Sequence, residues 1–170
     1  MSRIRGFPPV ATASAHTLIL GSMPGQASLQ ASQYYAHPRN AFWPIISELL
    51  QIESGASYSV RTRALKSAGV ALWDVLHSCN RDGSLDAKIQ PGSGNVNDFR
   101  RFLGRHRRIT RIYFNGASAE MIFMRQVLPA LNGICISLTR LPSTSPAHAA
   151  LSFAEKLAAW REILPPPEPR

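Results

Sequence analysis

Lysine, cysteine and acid are all scarce in this chain. Its two cysteines, Cys79 and Cys135, are far apart and neither belongs to a CxxC pair. That spacing offers no zinc or redox motif and no disulfide framework. Two free thiols suit a reducing compartment, so a cytoplasmic location is expected. No apolar run is long enough to span a bilayer, which leaves no membrane partner to expect. The opening MSRIRGFPPV has arginines but no apolar stretch behind them, so no signal peptide is expected. Acids number 10 against 19 basic side chains, and only Lys66, Lys88 and Lys156 of those 19 are lysine.

The formal net charge of +9 is therefore carried almost wholly by arginine. Arginine's planar fork matches phosphates and base edges, so an anionic partner is plausible, although a basic protein needs no polyanion. With 170 residues, 45 % of them hydrophobic and 17 % charged, the chain can bury one sizeable core. The expected organisation is one domain over 1–164, followed by a mobile proline-rich tail at 165–170 (PPPEPR). A monomer is expected.

Four short β-rich apolar runs predict strands at Thr17–Leu20, Gly69–Trp73, Arg111–Asn115 and Ile134–Leu138. Helical spacing separates them. Phe42, Ile45, Ile46, Leu49 and Leu50 recur at i, i+3, i+4, i+7 and i+8, with Pro44 tolerated in the first turn. A second helix is expected over Asn97–Arg105, burying Phe99 and Leu103. A third should follow Gly116 with Ala117, Met121, Met124 and Leu128 inward. A last should start near Ser152, with Phe153, Leu157, Trp160 and Leu164 on one face. Alternating strands and helices predict an α/β fold, a three-layer α/β/α sandwich around a four-stranded, mostly parallel sheet. Ligands bind such sheets at the carboxyl ends of the strands, which selects four loops.

The first loop opens with Gly21-Ser22-Met23-Pro24-Gly25, where glycines permit close backbone approach to a ligand. By itself this is a turn. Tyr34, Tyr35, His37, Arg39, Asn40, Phe42 and Trp43 then crowd into ten residues. Rings beside amides and cations suit an extruded base, stacked and read along its edge. Tyr35 and Asn40 precede the helix and favour a site role; Phe42 and Trp43 fit a core face equally well. In the second loop Asp74 follows an apolar strand and could accept from a ring N–H or cap a turn. Asn80, Arg81, Ser84 and Asp86 read as loop-shaping. Asn115-Gly116 is a turn signal whose Asn115 could face the pocket. In the fourth loop, Ser143, Thr144 and Ser145 lie between Pro142 and Pro146 and could hold phosphate oxygens, or simply cap the last helix.

These loops, in this order from about Leu18 to Trp160, resemble the uracil-DNA glycosylase superfamily. GSMPG looks like its first motif, AHPRNAFW like the HPxNxFW run of the mismatch-specific uracil enzymes, and PSTSPA like the segment that enters DNA beside the extruded base. GVALWD is similar to the strand ending in the uracil-reading Asn. The departures point to one branch. Met23 stands where uracil-cleaving members carry Asp or Asn, Leu141 where they carry His or Asn, and Asp74 where they carry the base-reading Asn. GSMPG with PxNxFW, CNRDGSLD and LPSTSPA resembles the hypoxanthine-cleaving branch, whose catalytic Asn maps onto Asn40.

The resemblance implies hydrolysis of the N-glycosidic bond of a deaminated base, hypoxanthine above all, in double- or single-stranded DNA, beside the nucleoid. Asn40 would be catalytic. Gly21, Ser22, Met23, Pro24, Tyr35, Phe42, Asp74 and Asn115 would form the base pocket, with Tyr35 stacking on the base. Arg140, Pro142, Ser143, Thr144 and Ser145 would meet DNA, with Arg39 and Arg81 adding to a basic mouth. No lysine lies in the first or fourth loop, so a monofunctional enzyme without cofactor or metal is expected. The rival readings are a mismatch-type uracil glycosylase, a hydrolase using Ser22 with His37 or His148, and a non-catalytic DNA-binding relative.

Overall fold

The computed structural model describes residues 2–165; positions 166–170 of the expected tail lie outside the described residues. The elements run as follows: β1 Arg3–Arg5, β2 Thr17–Gly21, α1 Gln26–Ala31, α2 Phe42–Leu50, α3 Tyr58–Ser67, β3 Val70–Asp74, β4 Leu76–Asn80, β5 Asn95–Val96, α4 Phe99–Arg105, β6 Arg111–Asn115, α5 Ala117–Ile122, β7 Ser137–Leu141 and α6 Phe153–Trp160. The main sheet has the order β3-β2-β6-β7, and every pair in it is parallel. Its four carboxyl ends therefore open on one side.

Register and pleat assign the two faces. Leu20 lies beside Trp73 and Phe114, so these three share a face. Trp73 packs on Phe99 and Phe102 of α4, and Phe114 on Phe123 just beyond α5. The opposite face carries Ile19, Leu72 and Tyr113. There Phe42 of α2 meets Trp160 of α6 edge to face, and the Tyr113 hydroxyl donates to the Glu162 carbonyl at 2.8 Å. Gly21, Asp74 and Asn115 end their strands on this second face.

The amphipathic pattern of Phe42–Leu50 buries Phe42, Trp43, Ile45 and Ile46 as its spacing requires. Asp98 caps α4, its carboxylate accepting from the Arg101 N–H at 3.0 Å, and a Ser152–Glu155 capping box starts α6. Three expectations need correction. The last strand lies at Ser137–Leu141, because its register begins opposite Arg111 and leaves Ile134–Ile136 as the approach to the sheet. In the helix after Gly116 the buried stripe is Ala119, Phe123 and Val127, while Met121 and Met124 are exposed. Both stripes have helical spacing; the larger Phe123 ring takes the space beside Phe99 and Phe114. Phe153, at the first turn of α6, is also exposed. A small antiparallel sheet, β1-β4-β5, and the helices α1 and α3 were not legible beforehand: α3 buries only Leu65. Among the described residues no helix is long and apolar enough to cross a membrane.

Candidate active site

The carboxyl ends of the parallel strands frame a cleft of about 880 Å³. Ser22, Pro24, Tyr35, Asn40, Asp74 and Asn115 line it, with Ser143–Ser145 on the facing loop. Four sequence-distant loops thus meet in one place, as the resemblance implied.

The path of the first loop is set by Tyr34. Its hydroxyl donates to the Pro8 carbonyl at 3.0 Å, its N–H to the Tyr58 hydroxyl at 3.1 Å, and its carbonyl accepts from the Trp43 indole at 2.7 Å. The next residue, Tyr35, is held at φ +55°, a left-handed conformation that a bulky residue adopts only when its surroundings impose it. The Tyr35 ring stacks on Phe42, with centroids 4.1 Å apart and planes 24° apart. Phe42 is fully buried, so it supports Tyr35 from behind and does not form the pocket wall expected of it. The buried Tyr35 hydroxyl makes no hydrogen bond within the described chain.

Gly21 explains how that hydroxyl reaches so far. A β-carbon at Gly21 would lie 2.8 Å from the Tyr35 hydroxyl and 2.5 Å from Asp74 Oδ1, so only glycine leaves room for both. Asp74 is Gly21's register partner on β3. It is 3 % exposed and its Oδ2 has no hydrogen-bond partner within the described chain. Burial, and then the negative charge of Asp86, push its carboxyl up to about 7, against the opposing pull of Arg81.

Asn40 sits in the turn entering α2. Its Oδ1 accepts from the Phe42 N–H at 2.9 Å. This identifies the carbonyl end of the amide, since the amino end cannot accept. The Nδ2 donor makes no hydrogen bond within the described chain. Asn115 also lines the cleft, but both ends of its amide are engaged: Nδ2 donates to the Thr144 hydroxyl at 2.8 Å, and Oδ1 accepts from the Thr144 N–H at 2.9 Å. The Ala41 N–H donates to the Thr144 carbonyl at 3.0 Å, joining the first and fourth loops directly.

Thr144 is accordingly buried, which corrects its expected place among the phosphate-binding hydroxyls. Ser143 and Ser145 remain partly exposed beside it. Met23 turns its side chain into an apolar cluster with Leu76 and Cys79. Ser22 donates to Asp86 at 2.5 Å, an acid where a hydrolytic triad would place its base; this counts against the serine-nucleophile reading. The loop-shaping role expected of Arg81, Ser84 and Asp86 takes physical form here. Arg81, 2 % exposed, donates to the Pro24 and Gly83 carbonyls and lies 3.7 Å from Asp86, while Ser84 accepts from the Gln26 N–H at 2.9 Å. Arg81 is therefore withdrawn from the basic mouth to which it was expected to add. Arg140 is exposed but faces Glu120 at 3.4 Å. Lys156 donates its amine to the His148 carbonyl at 2.7 Å, under the fourth loop. The anchoring by Tyr34 went unread in the sequence, because its partners at Pro8, Trp43 and Tyr58 lie nine or more residues away along the chain.

The family model of the uracil DNA glycosylase superfamily matches residues 8–164. A hypoxanthine DNA glycosylase of Methanosarcina acetivorans is 34 % identical over 160 residues, covering 94 % of this chain and 96 % of the relative. One from Methanosarcina barkeri is 35 % identical over 159 residues, covering 93 % and 96 %. The solution NMR structure of a candidate uracil DNA glycosylase from Methanosarcina acetivorans superposes with a TM-score of 0.76 at 31 % identity, over 95 % of this chain and 99 % of that one. The chain belongs to the uracil DNA glycosylase superfamily.

Proposed function

We propose that this protein is a DNA repair glycosylase that excises hypoxanthine from deoxyinosine, with Asn40 as its catalytic side chain. The observation that carries the assignment is the state of the amides in the cleft. Of the two asparagines there, Asn115 is bonded at both ends, whereas Asn40 is anchored through Oδ1 with its Nδ2 donor uncommitted within the described chain. Met23, at the position of the usual water-orienting acid, is a thioether turned into an apolar cluster. The two relatives named for hypoxanthine support the choice of base.

The chemistry follows from these groups. The base is extruded from the duplex, which costs a few kcal/mol and least in a mismatch. It stacks on the face of Tyr35 away from Phe42, worth about 1–3 kcal/mol. Asn40 Nδ2 donates to the attacking water and fixes a lone pair toward the anomeric carbon, a contribution on the order of 10²-fold or more. The C–N bond breaks through an oxocarbenium-like transition state, the base leaves with the bonding pair and takes up a proton, and the sugar keeps the hydroxyl. With the Lys156 amine held by the His148 carbonyl, water is the nucleophile this cleft favours.

Asp74 is the proposed reader of the base. Ionised, it accepts the N1–H of hypoxanthine and opposes the N1 lone pair of adenine. The test is excision from duplexes carrying hypoxanthine, uracil, xanthine or adenine, read by alkaline cleavage of the abasic product. Hypoxanthine is expected to be released fastest; faster release of uracil would replace this reading with the mismatch-type one.

A further inference from the structure

Among the described residues Arg39 is the one arginine that lines the cleft. Of those expected at the mouth, Arg81 is buried and Arg140 faces Glu120, which leaves Arg39 exposed. Between positions 100 and 108, by contrast, Arg100, Arg101, Arg105, Arg107 and Arg108 are all exposed. Among the described residues none of them lies within ion-pair distance of an acid. Asp98, the acid nearest in sequence, is occupied by the Arg101 N–H.

Arg105, Arg107 and Arg108, at the end of α4 and in the turn entering β6, sit at the opposite end of the sheet from the site: the first residue of β6, Arg111, lies level with Thr17 of β2 and Ser137 of β7. Arg100 and Arg101 stand in the first turn of α4, whose start is tied to the carboxyl end of β3 by the Asn97 amide donating to the Asp74 carbonyl at 2.8 Å. Strands of five residues separate the two ends by roughly 15 Å. Arg100, His106 and Arg107 also border a groove of about 450 Å³, closed on its other side by Asn132–Ile136. A duplex seated over the carboxyl ends cannot also lie along the amino ends of a sheet this deep.

We propose that this amino-end surface is a second, sequence-independent binding site for the phosphate backbone, holding one DNA segment while the cleft holds another. Unpaired guanidinium groups spaced along a helix and its following turn suit successive phosphates, and their binding releases condensed counterions. Two such surfaces on one small protein let it pass between DNA segments without dissociating from both. The inference rests on the cleft being a DNA site, but it is tested on undamaged DNA and so is separate from the catalytic assignment.

The experiment uses an immobilised undamaged duplex and a second, fluorescent one, at low salt, with the intact protein. Wild type is expected to retain the fluorescent duplex. The combined Arg105→Gln, Arg107→Gln and Arg108→Gln variant is expected to lose that retention at least tenfold. Its single-turnover excision of hypoxanthine at saturating protein should stay within twofold of wild type. A control removing equal charge elsewhere, Arg3→Gln with Arg5→Gln and Lys88→Gln, should retain the second duplex. Full bridging by the triple arginine variant would overturn the proposal, since a dimer bridging through two clefts would show that. Equal loss in the control would overturn it in favour of net charge alone, and a matching fall in excision would make the patch part of the catalytic DNA path. Preference of the patch for polyglutamate over DNA would reassign it to an acidic protein. Bridging by a protein that excises no hypoxanthine would sink the catalytic reading and leave this one standing.

Discussion

The Tyr35 hydroxyl occupies the space that a side chain at Gly21 would fill: a β-carbon there would stand 2.8 Å from it. The same β-carbon would stand 2.5 Å from Asp74 Oδ1. One missing methyl group thus holds together the ring expected to stack on the base and the carboxyl expected to read it.

Gly21→Ala should therefore displace both groups at once. The expected outcome is a folded protein, less stable by about 1–3 kcal/mol, with single-turnover excision lowered tenfold or more. Melting curves measured beside the excision assay check this. Wild-type excision by the Gly21→Ala protein would show that neither group has to stay where it is.

Tyr35→Phe and Tyr35→Ala should diverge. The phenylalanine keeps the stack on Phe42 and removes a buried hydroxyl that makes no hydrogen bond within the described chain, so stability should hold or rise, and most activity should remain. The alanine removes the stacking surface and should lower excision strongly. A severe loss in Tyr35→Phe would mean that the hydroxyl itself meets the substrate.

Asn40 caps a backbone N–H and is also the proposed catalyst, and substitutions separate the two roles. Asn40→Asp keeps an acceptor for the Phe42 N–H but has no Nδ2 donor, so its stability should stay near wild type while excision falls. Asn40→Ala should lose about 1 kcal/mol of stability and excision by 10²-fold or more, with DNA binding retained. Near-normal excision by Asn40→Ala would remove the catalytic role; near-normal excision by Asn40→Asp would show that the water is held by an acceptor and not by Nδ2.

Asp74 predicts two pH dependences. The folded chain keeps this proton up to about pH 7, whereas an unfolded carboxyl loses it near 3.8. Folded protein then holds more protons than unfolded protein between those values, so this group makes stability fall as pH rises through that window. Above about pH 7 its effect is constant. In Asp74→Asn this part of the slope in denaturant midpoint against pH should vanish. Below pH 7 a neutral Asp74 both donates and accepts, and so matches adenine as well as hypoxanthine. Inhibition by free hypoxanthine relative to free adenine should therefore sharpen as pH rises through 7. A selectivity ratio flat from pH 5.5 to 8.5 would count against Asp74 as the reader.

Three of the four main strands were legible because buried parallel strands are short apolar runs, and α2 because one face repeats at helical spacing. The active-site loops were legible through their local motifs. Local sequence could not choose between the two equally spaced stripes after Gly116. That choice belonged to the aromatic space between Phe99 and Phe114. Nor could it show that Arg81 turns inward, that Thr144 is buried by Asn115, or that Arg105, Arg107 and Arg108 gather at the far end of the sheet. Residue type determines which chemistry a side chain can perform; which partner it meets depends on contacts across tens of residues, and those exist only once the strands have aligned.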